Sequence, residues 1–256
     1  MRAFVINLDT ATDRWTFVQQ SFAHTRLALC RVSAIDATFI TLPHRDYSEA
    51  LYRWFHGRMS NPRELACYLS HLKAMKAFLD TSDTHAMIAE DDIVLEADAE
   101  SAIEGALDHA QHWNILRLTG LSHGHPLPTG MMSGRYSLSI NLGRLKGCGA
   151  YLVDRRAAKT LVEKLLPMGL PYDHAIDREW RWGLRAASLL PHPVSQTSSE
   201  FLSSVQPGIY AKLWWPHRYL GTYPYQAVNE LCRWLFRGSH YLALKLTATA
   251  RKQKRG

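Results

Sequence analysis

Three consecutive carboxylates, Glu90, Asp91 and Asp92, end an apolar run that begins at His85, and Ile93-Val94-Leu95 follows at once. Adjacent like charges repel, so folding gains nothing from the arrangement. A divalent cation or a cationic ligand relieves the repulsion. Hard oxygen donors suit Mg²⁺ or Mn²⁺, and a metal held there can bind a diphosphate. The apolar run has the length of a buried strand in a parallel sheet. In open α/β sheets the ligand crevice lies outside the carboxyl ends of the strands. A solvated acidic turn is the competing reading, because a lone short motif is only a hypothesis.

Other reactive side chains sit at similar boundaries. Asn7, Asp9 and Arg14 follow the first apolar run, Ser70 and His71 are neighbours, and Asp173 and Asp177 lie one helical turn apart. Each has a structural alternative. Asp9, Asp13 and Asp173 suit helix caps, and His71 suits a core or surface histidine. His192 lies between Pro191 and Pro193, which indicates plain loop geometry rather than a metal ligand.

The elements that position these residues follow from periodicity. Residues 2–8 read as a strand, 11–24 as a helix with Trp15, Val18 and Phe22 on one face, and 27–34 as a second strand. Residues 36–62 carry no clean period and read as a long loop with short helices. The strongest helix runs from Glu64 to Leu79, with Asn61-Pro62 as its cap and first turn. After the acidic step, 97–110 reads as a helix, 113–118 as a strand, 119–134 as a loop and 136–140 as an edge strand. Gly147 opens a strand over 148–153, and Asp154 caps a helix over 155–166. Tyr172–Trp180 reads as a further helix and Leu189–Val194 as a last strand. The alternation predicts an α/β class with a mostly parallel sheet.

At 256 residues the chain has room for one large domain with a sizeable core. The four cysteines, Cys30, Cys67, Cys148 and Cys232, form no CxxC pair, which argues against a zinc knuckle and a disulfide framework. A reducing cytoplasm is the expected compartment. The first residues do not resemble a secretory signal, and no run of about 18 apolar residues occurs. The net charge of +7 is uneven: residues 207–256 hold nine Lys/Arg against Glu230, or +8, and the rest of the chain is near neutral.

Several segments, in order, resemble one known family. They are Val5-Ile-Asn-Leu-Asp9 with Asp13-Arg14, Val32-Ser-Ala-Ile-Asp36, the Glu64-x-x-Cys67-x-x-Ser70-His71 helix, Ile88-Ala-Glu-Asp-Asp-Ile93, Gly147–Val153 with Ala157-Ala158, and Pro171-Tyr-Asp173. Together they resemble glycosyltransferase family 25, the lipopolysaccharide and lipooligosaccharide biosynthesis transferases, over about residues 3–200. Arg63 and Ala66 stand where that family usually has glycine, and Cys148 where it often has threonine. These departures bear on pocket shape rather than reaction type.

The resemblance implies a GT-A-like nucleotide-binding domain over 1–206; by composition a basic, aromatic segment over 207–256 extends it. It implies inverting transfer of a sugar, often galactose, from a UDP-sugar to a hydroxyl of a lipopolysaccharide, lipooligosaccharide or related glycan. Asp92, with Glu90, would hold Mn²⁺ or Mg²⁺. Asn7, Asp9, Arg14, Ser70, His71, Glu90 and Asp91 would contact the nucleotide-sugar. An inverting displacement also needs a base, for which Asp173 is the first candidate and Asp177 the second.

Beyond Pro207 the resemblance ends. Residues 227–246 pattern as a basic amphipathic helix and Arg251–Arg255 is polybasic. Such a segment suits peripheral attachment to an anionic membrane face, here the inner face of the cytoplasmic membrane. Packing on the body is the alternative. No nucleic-acid motif is present and no such partner is expected. Two other functions compete: a catalytically silent relative that binds glycans or partners, and a phosphoryl-transfer enzyme, which would want a glycine-rich phosphate loop that the sequence lacks.

Overall fold

The computed structural model describes residues 1–121, 124–132, 134–196 and 214–253, the side chains of 247–253 excepted. The 207–213 stretch and the side chains of the polybasic Arg251–Arg255 end lie outside the described residues.

The chain opens with β1 (Arg2–Asn7), α1 (Thr12–Phe22) and β2 (Ala28–Ser33). α2 (Glu49–His56) and α3 (Pro62–Leu79) precede β3 (His85–Glu90), β4 (Ile93–Leu95) and α4 (Ala99–Leu107). β5 (Ile115–Arg117), β6 (Pro126–Pro128), β7 (Ser137–Asn141) and β8 (Ala150–Asp154) follow. Then come α5 (Arg155–Lys164), α6 (Tyr172–Ile176), β9 (Ala186–Leu190) and β10 (Val194–Gln196). The last helical stretch comprises α7 (Trp215–His217), a π-helical turn over Arg218–Thr222 and α8 (Tyr223–Gln253).

Eight strands form one sheet in the order β2-β1-β3-β8-β5-β9-β7-β6, and β4 pairs with β10 separately. β1 runs parallel to β2 and β3, and β5 to β9. The other four pairings of the large sheet are antiparallel. The sheet is therefore mixed, not mostly parallel. β8 and β7 are the cause: β8 enters from the 142–149 loop at the end where β3 and β5 finish and runs against both, and β7 runs against β9 and β6. Alternation of strands and helices tells that strands exist, not which way each is threaded.

Side-chain alternation divides the core between the two faces. Phe4, Ile6, Ile88, Tyr151 and Val153 point to one face and pack with α3, α5 and α6. Ala3, Val5, Met87, Ala89 and Leu152 point to the other, with residues of α1 and α4 and Leu244 of α8. Caps fix where the main helices start. The Asn61 side chain accepts from the Glu64 N–H ahead of Pro62, and Asp154 accepts from the Ala157 N–H.

Several readings of the sequence differ from the structure. The 136–140 strand is not an edge: β7 lies between β9 and β6, and β6 arises within the 119–134 stretch read as a loop. Leu189–Val194 is not one strand: Pro191 and Pro193, which lack ladder donors, separate β9 from β10. The helix from Tyr172 stops at Ile176 and gives way to a 3₁₀ turn, Glu179–Trp182. In a continuous helix Asp177 and Glu179 would point about 200° apart. The break brings both carboxylates onto Arg237.

α8 is docked on the body through two buried arginines. Arg233 and Arg237 are 1% and 2% exposed. Upstream, Phe55 stacks on Tyr225 with ring centroids 4.2 Å apart, and Thr222 Oγ1 donates to the Trp54 carbonyl at 3.0 Å. Among the described residues no helix is long and apolar enough to cross a membrane.

Candidate active site

β1 and β3 are parallel and adjacent, so Asn7 and Glu90 end side by side. A cleft of about 490 Å³ opens there, within the ~300–1,000 Å³ range of small-molecule sites. Arg14 and the 34–38 segment line one side of it. Arg63, Cys67, Ser70 and His71 of α3 line another, and Glu90, Asp91 and Asp92 face into it.

The three acids have different partners. Asp91 is nearly buried, and its two oxygens accept from Asn7 Nδ2 and Arg14 Nη1, each at 2.7 Å. Glu90 and Asp92 share a partner. Gln196 Nε2 lies 3.3 Å from Glu90 Oε2 and 3.3 Å from Asp92 Oδ1, so one amide spans both carboxylates. Burial, and then the Glu90 charge, push the Asp92 carboxyl up to about 6. A Cβ at Gly149 would fall 2.4 Å from the Gln196 side chain, so the glycine is what admits the amide.

His71 is buried against this pair. Its Nε2 lies 3.4 Å from Glu90 Oε1 and its Nδ1 3.3 Å from the Tyr151 hydroxyl. Its ring stacks on Tyr172 at 4.0 Å, and Tyr172 and Tyr151 share a hydroxyl hydrogen bond of 2.6 Å. Packing thus fixes the imidazole and orients Glu90. Ser70 has a scaffolding position: Oγ donates to the Ala66 carbonyl at 2.7 Å and accepts from the Ile35 N–H at 2.8 Å, pinning the 34–38 segment to α3.

The remaining sequence candidates lie outside the cleft lining. Asn7 is fully buried; Nδ2 donates to Asp91 and Ala11, and Oδ1 accepts from Arg31. It braces the acidic step from below. Asp9 is exposed and accepts from Ser33 Oγ at 2.5 Å. Asp173 does not cap α6. Its Oδ2 accepts from the Gly147 N–H at 3.1 Å and its Oδ1 from the His174 N–H at 2.9 Å, and its charge is felt by Glu64 and by Cys67, which lines the cleft. Asp177 points away to Arg233, Arg237 and the Leu145 N–H. It is a buried anion of the fold.

Sequence reasoning passed over Cys67 and Gln196. Cys67 precedes His71 by one turn on the same face, a spacing visible in the sequence. Cys67 Sγ, a ring nitrogen of His71 and a Glu90 oxygen lie within 4.8 Å of one another and could hold a metal ion. Burial, with Glu90 next, raises the Cys67 thiol well above its ordinary value, which opposes the thiolate that a metal needs. Gln196 gave no signal, because it reaches the cleft only through the β4–β10 pairing.

The fold and cleft define an α/β protein with a cleft at strand ends and a carboxylate pair lining it. The model of glycosyltransferase family 25 (LPS biosynthesis protein) matches residues 1–176, and the chain belongs to this family. The matched span holds the three cleft acids and Asp173; Asp177, Gln196 and α8 lie beyond it. Among curated proteins nothing matches the chain.

Proposed function

We propose that this glycosyltransferase is an inverting enzyme. It moves a hexose, galactose by family resemblance, from a UDP-sugar to a hydroxyl of a lipopolysaccharide, lipooligosaccharide or related glycan. The observation that carries the reading is the Glu90–Asp92 pair in the cleft, with Gln196 spanning it and Arg14 braced alongside on Asp91. A GT-A-like arrangement fits a crevice at the carboxyl ends of β1 and β3.

Asp92 and Glu90 would hold Mn²⁺ or Mg²⁺, whose hard-oxygen preference they meet. That ion would supply Lewis-acid stabilisation of the departing diphosphate. The Cys67–His71–Glu90 set better suits a borderline ion such as Zn²⁺, and the raised Cys67 thiol weighs against it. The chain's own groups do the rest. Arg14 and Arg63 place positive charge beside the diphosphate, the 34–38 segment walls the nucleoside side, and His71 keeps Glu90 aimed inward. Asp173 is assigned to take the acceptor proton, because Asp177 is committed to two arginines. Asn7 and Ser70 act by position, and Asp9 contributes at the exposed rim.

The test is a screen of UDP-sugars for hydrolysis without acceptor, with and without Mn²⁺. Metal-stimulated UDP release from one donor supports the reading. Full activity in Asp92→Ala would remove the metal role. Absence of UDP and Mn²⁺ binding by calorimetry would favour the catalytically silent alternative.

A further inference from the structure

α8 is amphipathic in an inverted sense. A surface helix ordinarily turns its apolar stripe inward and its charges to water. Here Arg233 and Arg237 point inward and are buried with Leu244. Val228, Leu231, Leu235, Leu242 and Leu246 point outward and are each 60–73% exposed. Leu231 and Leu235 precede Arg233 and Arg237 by two residues, which places the two rows about 200° apart on the helix. The leucine row is therefore opposite the docked face and touches none of the body's core. At the start of the same helical stretch, Trp214, Trp215, Tyr219 and Leu220 are 62–79% exposed.

We propose that this face lies on an anionic lipid bilayer. Three observations select that occupant. No described helix can span a membrane, so the apolar row is placed to lie in the interface. Tryptophan and tyrosine, which cluster at one end of it, favour the headgroup level. The charge is complementary: residues 207–256 carry +8, and Asp177 and Glu179, which pair with the buried Arg233 and Arg237, still leave about +6. A second copy docked through the same row would bring two strongly basic segments together, whereas an anionic surface supplies the opposite sign. The proposal is independent of the catalytic reading, since it uses no cleft residue.

The experiment is co-sedimentation of the full chain with phosphatidylcholine vesicles, with and without about 30 mol % phosphatidylglycerol. Wild type is expected to bind the anionic vesicles, less so as salt is raised, and the neutral ones weakly. Leu231→Glu/Leu235→Glu/Leu242→Glu should lose on the order of a hundredfold in partitioning while keeping its thermal midpoint and UDP-sugar turnover. A single Leu242→Glu gives a milder loss and serves if the triple variant folds poorly. Equal partitioning of wild type and both variants, or no preference for anionic vesicles, overturns the proposal. So does a wild-type dimer in sedimentation velocity that the substitutions dissolve, with no vesicle binding.

Discussion

Arg237 Nη2 donates to Asp177 Oδ1 at 2.8 Å, with both side chains essentially excluded from solvent. The same guanidinium reaches both Glu179 oxygens at 2.8 Å and the Asn141 and Gly143 carbonyls at 3.0 and 3.2 Å. Burial alone would lower the Arg237 pKa, but the two carboxylates outweigh it and raise it. Glu179 remains raised, with burial as the main cause. The helix beyond the family match is thus tied to the body by a buried ionic cluster. Arg237→Met leaves two buried carboxylates without this cation and should cost about 3–5 kcal/mol. Urea unfolding measures it; an unchanged midpoint would show that the cluster does not hold α8.

Asp173 and Asp177 separate by readout. Asp173→Asn should cut turnover by roughly 10²–10⁴ with little loss of stability, as for removal of a general base. Asp177→Asn should lower the unfolding midpoint and leave turnover per folded molecule nearly intact. The reverse pattern would exchange the two assignments.

Asp92 makes stability depend on pH. Its folded pKa, about 6, is raised above the ordinary carboxyl value of 3.8. Between those values the folded chain keeps a proton that the unfolded chain has lost. Stability therefore falls as pH rises through that window, and the loss is complete above it. In chelator, Asp92→Asn should match wild type near pH 4 and exceed it near pH 7 by about 1–3 kcal/mol. Differential scanning calorimetry at both pH values decides; a constant difference would contradict the shift.

Gly149→Ala places a methyl where the Gln196 side chain lies. The obstructed atoms are the flexible end of a side chain, so the stability cost should stay within about 1 kcal/mol. Gln196 would leave the carboxylate pair, and the Mn²⁺ dissociation constant should change severalfold in calorimetry. Unchanged metal binding would show that the amide does not tune the site.

Cys67→Ser distinguishes the two donor sets around Glu90. If Asp92 and Glu90 form the site, Mn²⁺ stimulation of UDP release should persist in the variant. Loss of stimulation with retained UDP affinity would move the ion to Cys67, His71 and Glu90.

Much of the site was legible in the sequence because its cues are local. The acidic step ends an apolar strand, Ser70-His71 rides on a helix marked by Asn61-Pro62, and Gly147 opens β8. These are short-range patterns that strand pleat, helix pitch and caps turn into structure. Partner choice is not local. Nothing in the spacing shows that Asn7 braces Asp91, that Gln196 crosses to Glu90 and Asp92, or that Asp177 turns away from the cleft.

The sequence by itself determined the strand-end carboxylates, the main helices and the family motifs, because side-chain periodicity and capping act within a few residues. Tertiary structure decided the directions of β7 and β8, and with them the mixed sheet. It also decided that the basic helix turns its arginines inward and its leucines outward. The physical reason is that Asp177 and Glu179, buried by the fold, need cations, and the arginines that neutralise them arrive from more than fifty residues further along the chain.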